Sequence, residues 1–176
     1  MKNIKPNQTI TFILSVIFCF SAHHGFAQGK FKKYLFLGST SLCSGMLDGT
    51  IESINYHYCN GFKPRFQKAN DQFWNPALSW TNKYKDGNCN LGPKFLGSED
   101  IFVCTTDAYH MLRTTKRGID AFSIAYYLNQ AHNEKISNRK KWENVVKDFL
   151  FVTAVRCVGF SLTYSLIFNP QNRPVF

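Results

Sequence analysis

Between Phe149 and Phe168 the chain runs for 20 residues with a single charged side chain, Arg156. About 20 helical residues cover the roughly 30 Å of hydrocarbon in a bilayer, so this stretch must either cross a membrane or be wrapped entirely by the rest of a small chain. Crossing is the expectation. The segment starts as an amphipathic helix near Asn138, after a basic turn (Arg139, Lys140, Lys141), with Trp142, Val145, Val146 and Phe149 set against Lys140, Lys141 and Lys147. It should stop at Asn169-Pro170, because proline disfavours helical backbone in the residue before it. An arginine carried into hydrocarbon needs a partner. Asp48, Glu52 and Asp107 are the acids in apolar surroundings that could supply one.

The opposite end bounds the address of the chain. Met1 to Ala27 reads as a secretory signal: Lys2 and Lys5 in front, an apolar core from Ile10 to Phe20, and a small-x-small end at Gly25-Phe26-Ala27. Cleavage there leaves one domain, Gln28 to Phe176; the alternative is a retained anchor. Export to a cell membrane or envelope follows from either. The net charge of +10 falls only by Lys2 and Lys5 on cleavage. A basic exported chain meets anionic lipid more readily than nucleic acid, so a nucleic-acid partner is not expected. The mean hydropathy of -0.23 is too low for a bundle of uniformly apolar spans, and the apolar residues must therefore be concentrated in segments.

Three further helices are expected. In the first, Phe31 to Tyr58, the residues Gly38, Ser41, Gly45, Asp48, Glu52 and Asn55 recur at gaps of three and four. That spacing puts them on one face, opposite Leu42, Cys43, Leu47, Ile51, Ile54 and Tyr58. The face includes Gly45-x-x-x-Gly49, which allows a second helix to approach closely; a soluble helix with a wet polar side has the same periodicity. The second is bounded by Ser98 as cap, Glu99 and Asp100 in its first turn, and Arg113, Lys116 and Arg117 before Gly118. A third, short helix runs from Asp120 to Asn133.

From Asn60 to Leu96 the periodicity breaks into a long loop of aromatic and basic residues. Trp74, Trp80, Lys83 and Tyr84 have the composition of a headgroup layer, where rings sit half wet and lysines snorkel; an aromatic minicore under the loop is the alternative. Asn75 before Pro76 reads as a helix cap with proline at the first position, starting a turn of helix through Trp80 to Tyr84. Cys59 and Cys89 bracket this loop and could pair in an oxidising compartment. Orientation is contradictory: a cleaved signal puts Gln28 outside, whereas Lys30, Lys32 and Lys33 favour the cytoplasmic side.

Candidate chemistry rests on ionisable residues in apolar stretches: Asp48, Glu52, His57, Asp107, His110 and Arg156. Structural pairing of Arg156 with an acid would satisfy them without any activity. Asp107 and His110, three residues apart, could instead supply two ligands of a metal site that Asp48 and His57 complete, with zinc or iron as the metal and Glu52 or Asp48 as base for an activated water. His57 follows Asp48 by nine residues, half a turn out of phase, so the helix would have to end before it. Nucleophile elbows, phosphate loops, dinucleotide-binding glycine patterns and CxxC pairs are all missing from the sequence, so an ordinary soluble hydrolase, kinase or dehydrogenase is not expected.

Gly45-x-x-Asp48 with the helix end Tyr56-His57-Tyr58, the loop FWNPALSWTNKYKDG (Phe73 to Gly87) and TTDAYH (Thr105 to His110) together resemble small helical membrane proteins of bacteria. The likeness covers Gly38 to Arg113 and implies an integral helical membrane protein, with no activity attached. The expected fold is therefore all-α, with two to four membrane-associated helices and a long aromatic and basic loop. The expected function is non-enzymatic packing against lipid, a membrane protein partner or a second copy. The alternatives are a membrane-embedded metal-dependent hydrolase and an exported soluble helical binding domain.

Overall fold

The computed structural model describes residues 30–133 and 136–170. The signal read at Met1 to Ala27 lies outside them. The fold is all-α, with no strand among the described residues, only an isolated antiparallel bridge between Tyr84 and Pro93. Three long helices dominate: α1 (Lys30–Tyr56), α4 (Ala108–Asn133) and α5 (Asn138–Ser161), the last continued by a π-helical turn, Leu162–Ile167. Between α1 and α4 the chain makes a π turn (Tyr58–Phe62), two single helical turns, α2 (Asp71–Trp74) and α3 (Pro76–Ser79), and four 3-10 turns.

Helix α1 is the centre of the molecule, and no residue from Phe36 to Ile54 is exposed. Three of its buried hydroxyls are satisfied locally: Thr40, Thr50 and Ser53 donate to the carbonyls of Phe36, Met46 and Gly49, four residues back, at 2.9, 2.8 and 2.6 Å. A hydroxyl bonded to its own helix can be buried at little cost. The contacts run in the same direction along α1 and α5: Lys33 meets Asp148, Asp48 meets Arg156, and His57 meets Tyr164. The two helices are therefore parallel. With α4 the order reverses, Phe36 facing Tyr126 at one end and Asp48 facing Lys116 nearer the other. Helix α4 runs antiparallel to both, and the chain goes up, down and up.

Glycines set the α1–α5 distance. A Cβ on Gly45 would lie 2.1 Å from Arg156 O, on Gly49 2.0 Å from Thr163 Oγ1, and on Gly159 2.4 Å from Leu42 O. The Gly45-x-x-x-Gly49 spacing thus brings two backbones together, as small-residue helix pairs do. The Thr163 hydroxyl stitches the same seam, 3.1 Å from Met46 O. Beyond the end of α5, Phe168 closes an aromatic cluster with Phe62 and Phe66, ring centroids 5.5 and 6.0 Å away, and Trp74 stacks on Phe62 at 5.2 Å.

Two helical expectations are corrected. Ser98 caps no α-helix: it is fully buried in the turns before α4, and its hydroxyl donates to Lys83 O at 2.7 Å. Gly118 ends nothing, since α4 runs through it to Asn133 and joins what were expected as two helices. An interior helix glycine costs only about 1 kcal/mol, too little to break a helix that packs along its length. The expected cap at Asn75 is present, its side chain accepting from Ala77 N at 3.1 Å ahead of Pro76.

Candidate functional site

Arg156 lies midway along the apolar part of α5. Its Nη2 donates to Asp48 Oδ2 at 2.6 Å, and its Nη1 is 3.8 Å from Asp120 Oδ1. Lys116 Nζ sits 3.4 Å from Asp48 Oδ1 and 3.2 Å from Asp120 Oδ2, and Ser44 Oγ donates to Asp120 Oδ1 at 2.6 Å. Two cations and two anions from three helices make a neutral quartet. The side chains remain between 18% and 38% exposed, where α1, α4 and α5 each contribute a member. Of the three acids expected to pair with Arg156, Asp48 does so. Glu52 lies one turn further along α1, half-buried, and joins none of these pairs.

A second pair stands one end up. Lys33 Nζ donates to Asp148 Oδ2 at 2.6 Å, with the Asp148 side chain only 3% exposed, and the ammonium also lies 5.1 Å from the Tyr127 ring centre. The other carboxylate oxygen, Asp148 Oδ1, is buried with no hydrogen-bond partner among the described residues. At the opposite end His57 Nε2 is 3.0 Å from Tyr164 Oη.

Asp107 and His110 do come together, for a reason other than metal binding. Asp107 is the residue before α4; its Oδ1 accepts from His110 N at 2.8 Å and its Oδ2 is 2.8 Å from His110 Nδ1. That is an N-cap carboxylate, stabilised by the free amides and positive dipole end of the helix and by the imidazole. Nδ1 being engaged leaves Nε2 as the open nitrogen, the half of a general base that needs a nucleophile. No hydroxyl or thiol among the described residues is hydrogen-bonded to it.

The four expected metal ligands are thereby split. Asp48 belongs to the ion quartet, His57 to Tyr164, and Asp107 with His110 to the start of α4. Among the described residues no three His, Cys, Asp or Glu side chains are placed to hold a metal ion, and the four residues expected as zinc or iron ligands take part in three separate pairings. Cys59 and Cys89, which could pair in an oxidising compartment, are both exposed free thiols in this structure, one in the π turn after α1 and the other in the 3-10 turn Cys89–Leu91.

The loop divides the aromatics expected together at an interface. Trp74 goes into the Phe62 cluster, whereas Trp80 is exposed, edge-on to Tyr84 at 6.1 Å, with Lys83 Nζ 5.2 Å from the Tyr84 ring centre. A clasp holds the loop to the end of α1: Tyr58 Oη donates to Asp71 Oδ1 at 2.7 Å, and Lys63 Nζ bonds the same carboxylate and Ala69 O. The Lys63 ammonium, and next the Tyr58 hydroxyl, hold the Asp71 carboxyl below its ordinary 3.8; burial, then the bond to Asp71, pushes the Tyr58 phenol up.

Sequence reasoning missed Lys33, Ser44, Lys116, Asp120, Asp148 and Tyr164. One signal was available for Asp148: it stands eleven residues before Gly159, close to three full turns, and hence on the packing face of α5. No protein-family model, curated protein or solved structure matches the chain.

Proposed function

We propose that the chain is an integral helical membrane protein of a cell membrane or envelope, which acts by packing against lipid on one side and a protein neighbour on the other. A single observation carries this reading. Every outward side chain of α5 from Phe149 to Ile167 is uncharged, Phe149, Leu150, Val158 and Leu166 being more than half exposed, while Arg156 turns inward to Asp48. Only 11% of the most apolar 18-residue window in this helix is buried. A soluble protein of this size would cover such a surface, whereas hydrocarbon rewards it. The 19 residues from Phe149 to Ile167 reach roughly 28 Å, the thickness required.

Helix α4 differs: Arg113 and Arg117 are exposed, Arg117 beside the quartet residue Lys116. Lipid therefore belongs on the α5 side, and the α4 side suits a polar neighbour, protein or a second copy. The quartet holds charge in the middle of the bundle by neutralising it internally, a structural use that needs no substrate.

Native Cys157, on the outward side of α5, makes the reading testable. After alkaline carbonate extraction the protein should stay in the membrane pellet. In intact membranes a charged maleimide should label Cys59 and Cys89 but not Cys157, which should become reactive in denaturing detergent. Release into the supernatant with Cys157 labelled at the rate of Cys89 would show the helix to be in water, favouring the exported soluble domain.

A further inference from the structure

The parallel arrangement of α1 and α5 gathers the start of both helices at one end of the bundle. The end of α4 arrives there too, since Phe36 near the start of α1 contacts Phe122 and Tyr126 of α4. With Lys33 and Asp148 neutralising each other, this end displays, among the described residues, Lys32, Arg139, Lys140, Lys141 and Lys147 against one further acid, Glu143, which lies 3.4 Å from Arg139. The opposite end is balanced, six cations of the 57–107 loop facing five acids. Trp142 is 70% exposed among the basic residues, about two turns ahead of the uncharged surface that begins at Phe149. Asp148 is level with Lys33, so the first ten residues of α5 project past that level by roughly 15 Å.

Resting on the membrane reading above, we infer that this end is seated on anionic lipid headgroups, with Trp142 as the interfacial anchor. Clustered Lys and Arg immediately beside a span are attracted to anionic lipid, at about 1 kcal/mol per residue near the surface, and an indole prefers the headgroup level. The occupant is a lipid surface and not an acidic protein, because the basic residues and Trp142 continue the outward side of α5 that faces hydrocarbon. The anionic leaflet of a cell is the cytoplasmic one, so the ends become distinguishable. The Arg139–Lys141 turn is cytoplasmic, and the loop carrying Cys59, Cys89 and Trp80 is across the bilayer. This removes the contradiction in the sequence, in favour of the lysines at the start of α1.

The full chain with Ser137→Cys, a substitution at an exposed position just before α5, supplies the test together with native Cys89. Bacterial spheroplasts and inverted membrane vesicles containing it are treated with a membrane-impermeant maleimide, and labelled cysteines are identified by peptide mass. Cys89 should label in spheroplasts, and the thiol introduced by Ser137→Cys only in inverted vesicles. The reverse pattern overturns the inference and leaves the span intact; labelling of both from one side overturns the span itself. In a second arm, detergent-solubilised protein is melted with phosphatidylglycerol or phosphatidylcholine. Phosphatidylglycerol should raise the melting temperature by several degrees and phosphatidylcholine should not, the difference vanishing in the Arg139→Gln/Lys140→Gln/Lys141→Gln variant. Equal effects of the two lipids, or a difference that survives those substitutions, overturn the inference.

Discussion

Replacing Gly45 by alanine adds one methyl group where two backbones touch. Its Cβ would stand 2.1 Å from Arg156 O and 3.0 Å from both Arg156 C and Phe160 N. A carbon and a carbonyl oxygen ordinarily approach to about 3.3 Å, so α1 and α5 have to part by roughly 1 Å at this level. The obstructing atoms are backbone and have no rotamer to relax into. Overpacking of this kind costs about 1–3 kcal/mol, sometimes more, against which alanine recovers about 1 kcal/mol of helix propensity over glycine. Parting also stretches the Thr163 bond to Met46 and the Arg156 pair with Asp48, which tips the balance further. At about 2–4 °C per kcal/mol for a domain of this size, a net loss of about 1–2 kcal/mol means that Gly45→Ala should lower the melting temperature by about 2–8 °C. Gly118→Ala is the matched control: nothing lies within 4 Å of the Cβ it adds in mid-helix, so it should raise the melting temperature by a few degrees. Far-ultraviolet circular dichroism of both variants in one detergent reads the two signs. Gly45→Ala melting at or above the parent would refute the close approach of α1 to α5.

Arg156→Gln leaves Asp48 and Asp120 sharing Lys116, and should destabilise by about 1–3 kcal/mol, discounted from a fully buried pair because the groups are partly exposed; adding Asp48→Asn should restore part of the loss in a double-mutant cycle. Asp107→Ala removes the cap of α4 and should cost about 1 kcal/mol in denaturant titration, whereas His110→Ala, which keeps the cap, should cost clearly less; equal costs would make the imidazole the dominant partner. The Asp71 carboxyl is held below 3.8, so its clasp contributes fully above that pH and is lost as pH falls through the depressed folded value. Acid titration of Trp74 fluorescence should therefore show loosening on the acid side of 3.8 that Asp71→Asn abolishes. The Tyr58 phenol is shifted upward, so its contribution is present below pH 10.0 and declines only as pH rises through the higher folded value.

What was legible in the sequence had a local cause. The Asn75-Pro76 cap, the stop at Asn169-Pro170 and the small-residue face of α1 each follow from backbone rules acting within a few residues. Ser98 failed because Ser-Glu-Asp before an apolar run is a genuine cap signature, and only the chain beyond it decides whether the hydroxyl serves a helix or, as here, the Lys83 carbonyl. Asp107 and His110 were grouped for the right spacing and the wrong reason, since i, i+3 is both a ligand spacing and the spacing of an N-cap to the amide it satisfies. The quartet was half visible: Arg156 demanded an acid and Asp48 answered, but Lys116 and Asp120 had been read as a helix end and a helix start. Their role required α4 to continue through Gly118. The Lys33–Asp148 pair joins residues 115 apart, and parallel packing of α1 on α5 is a tertiary fact that no local pattern encodes.

That parallel packing imposes an order of assembly. Two neighbouring helices that point the same way cannot close as a hairpin, so α1 meets α5 only after the intervening chain has gone down through α4 and come back. During synthesis the glycine seam of α1, together with Lys33, stays uncovered until the last long helix emerges. Chains cut short before Asp148 would present an open seam and stranded charge, the features by which quality control in a cell recognises an unfinished product.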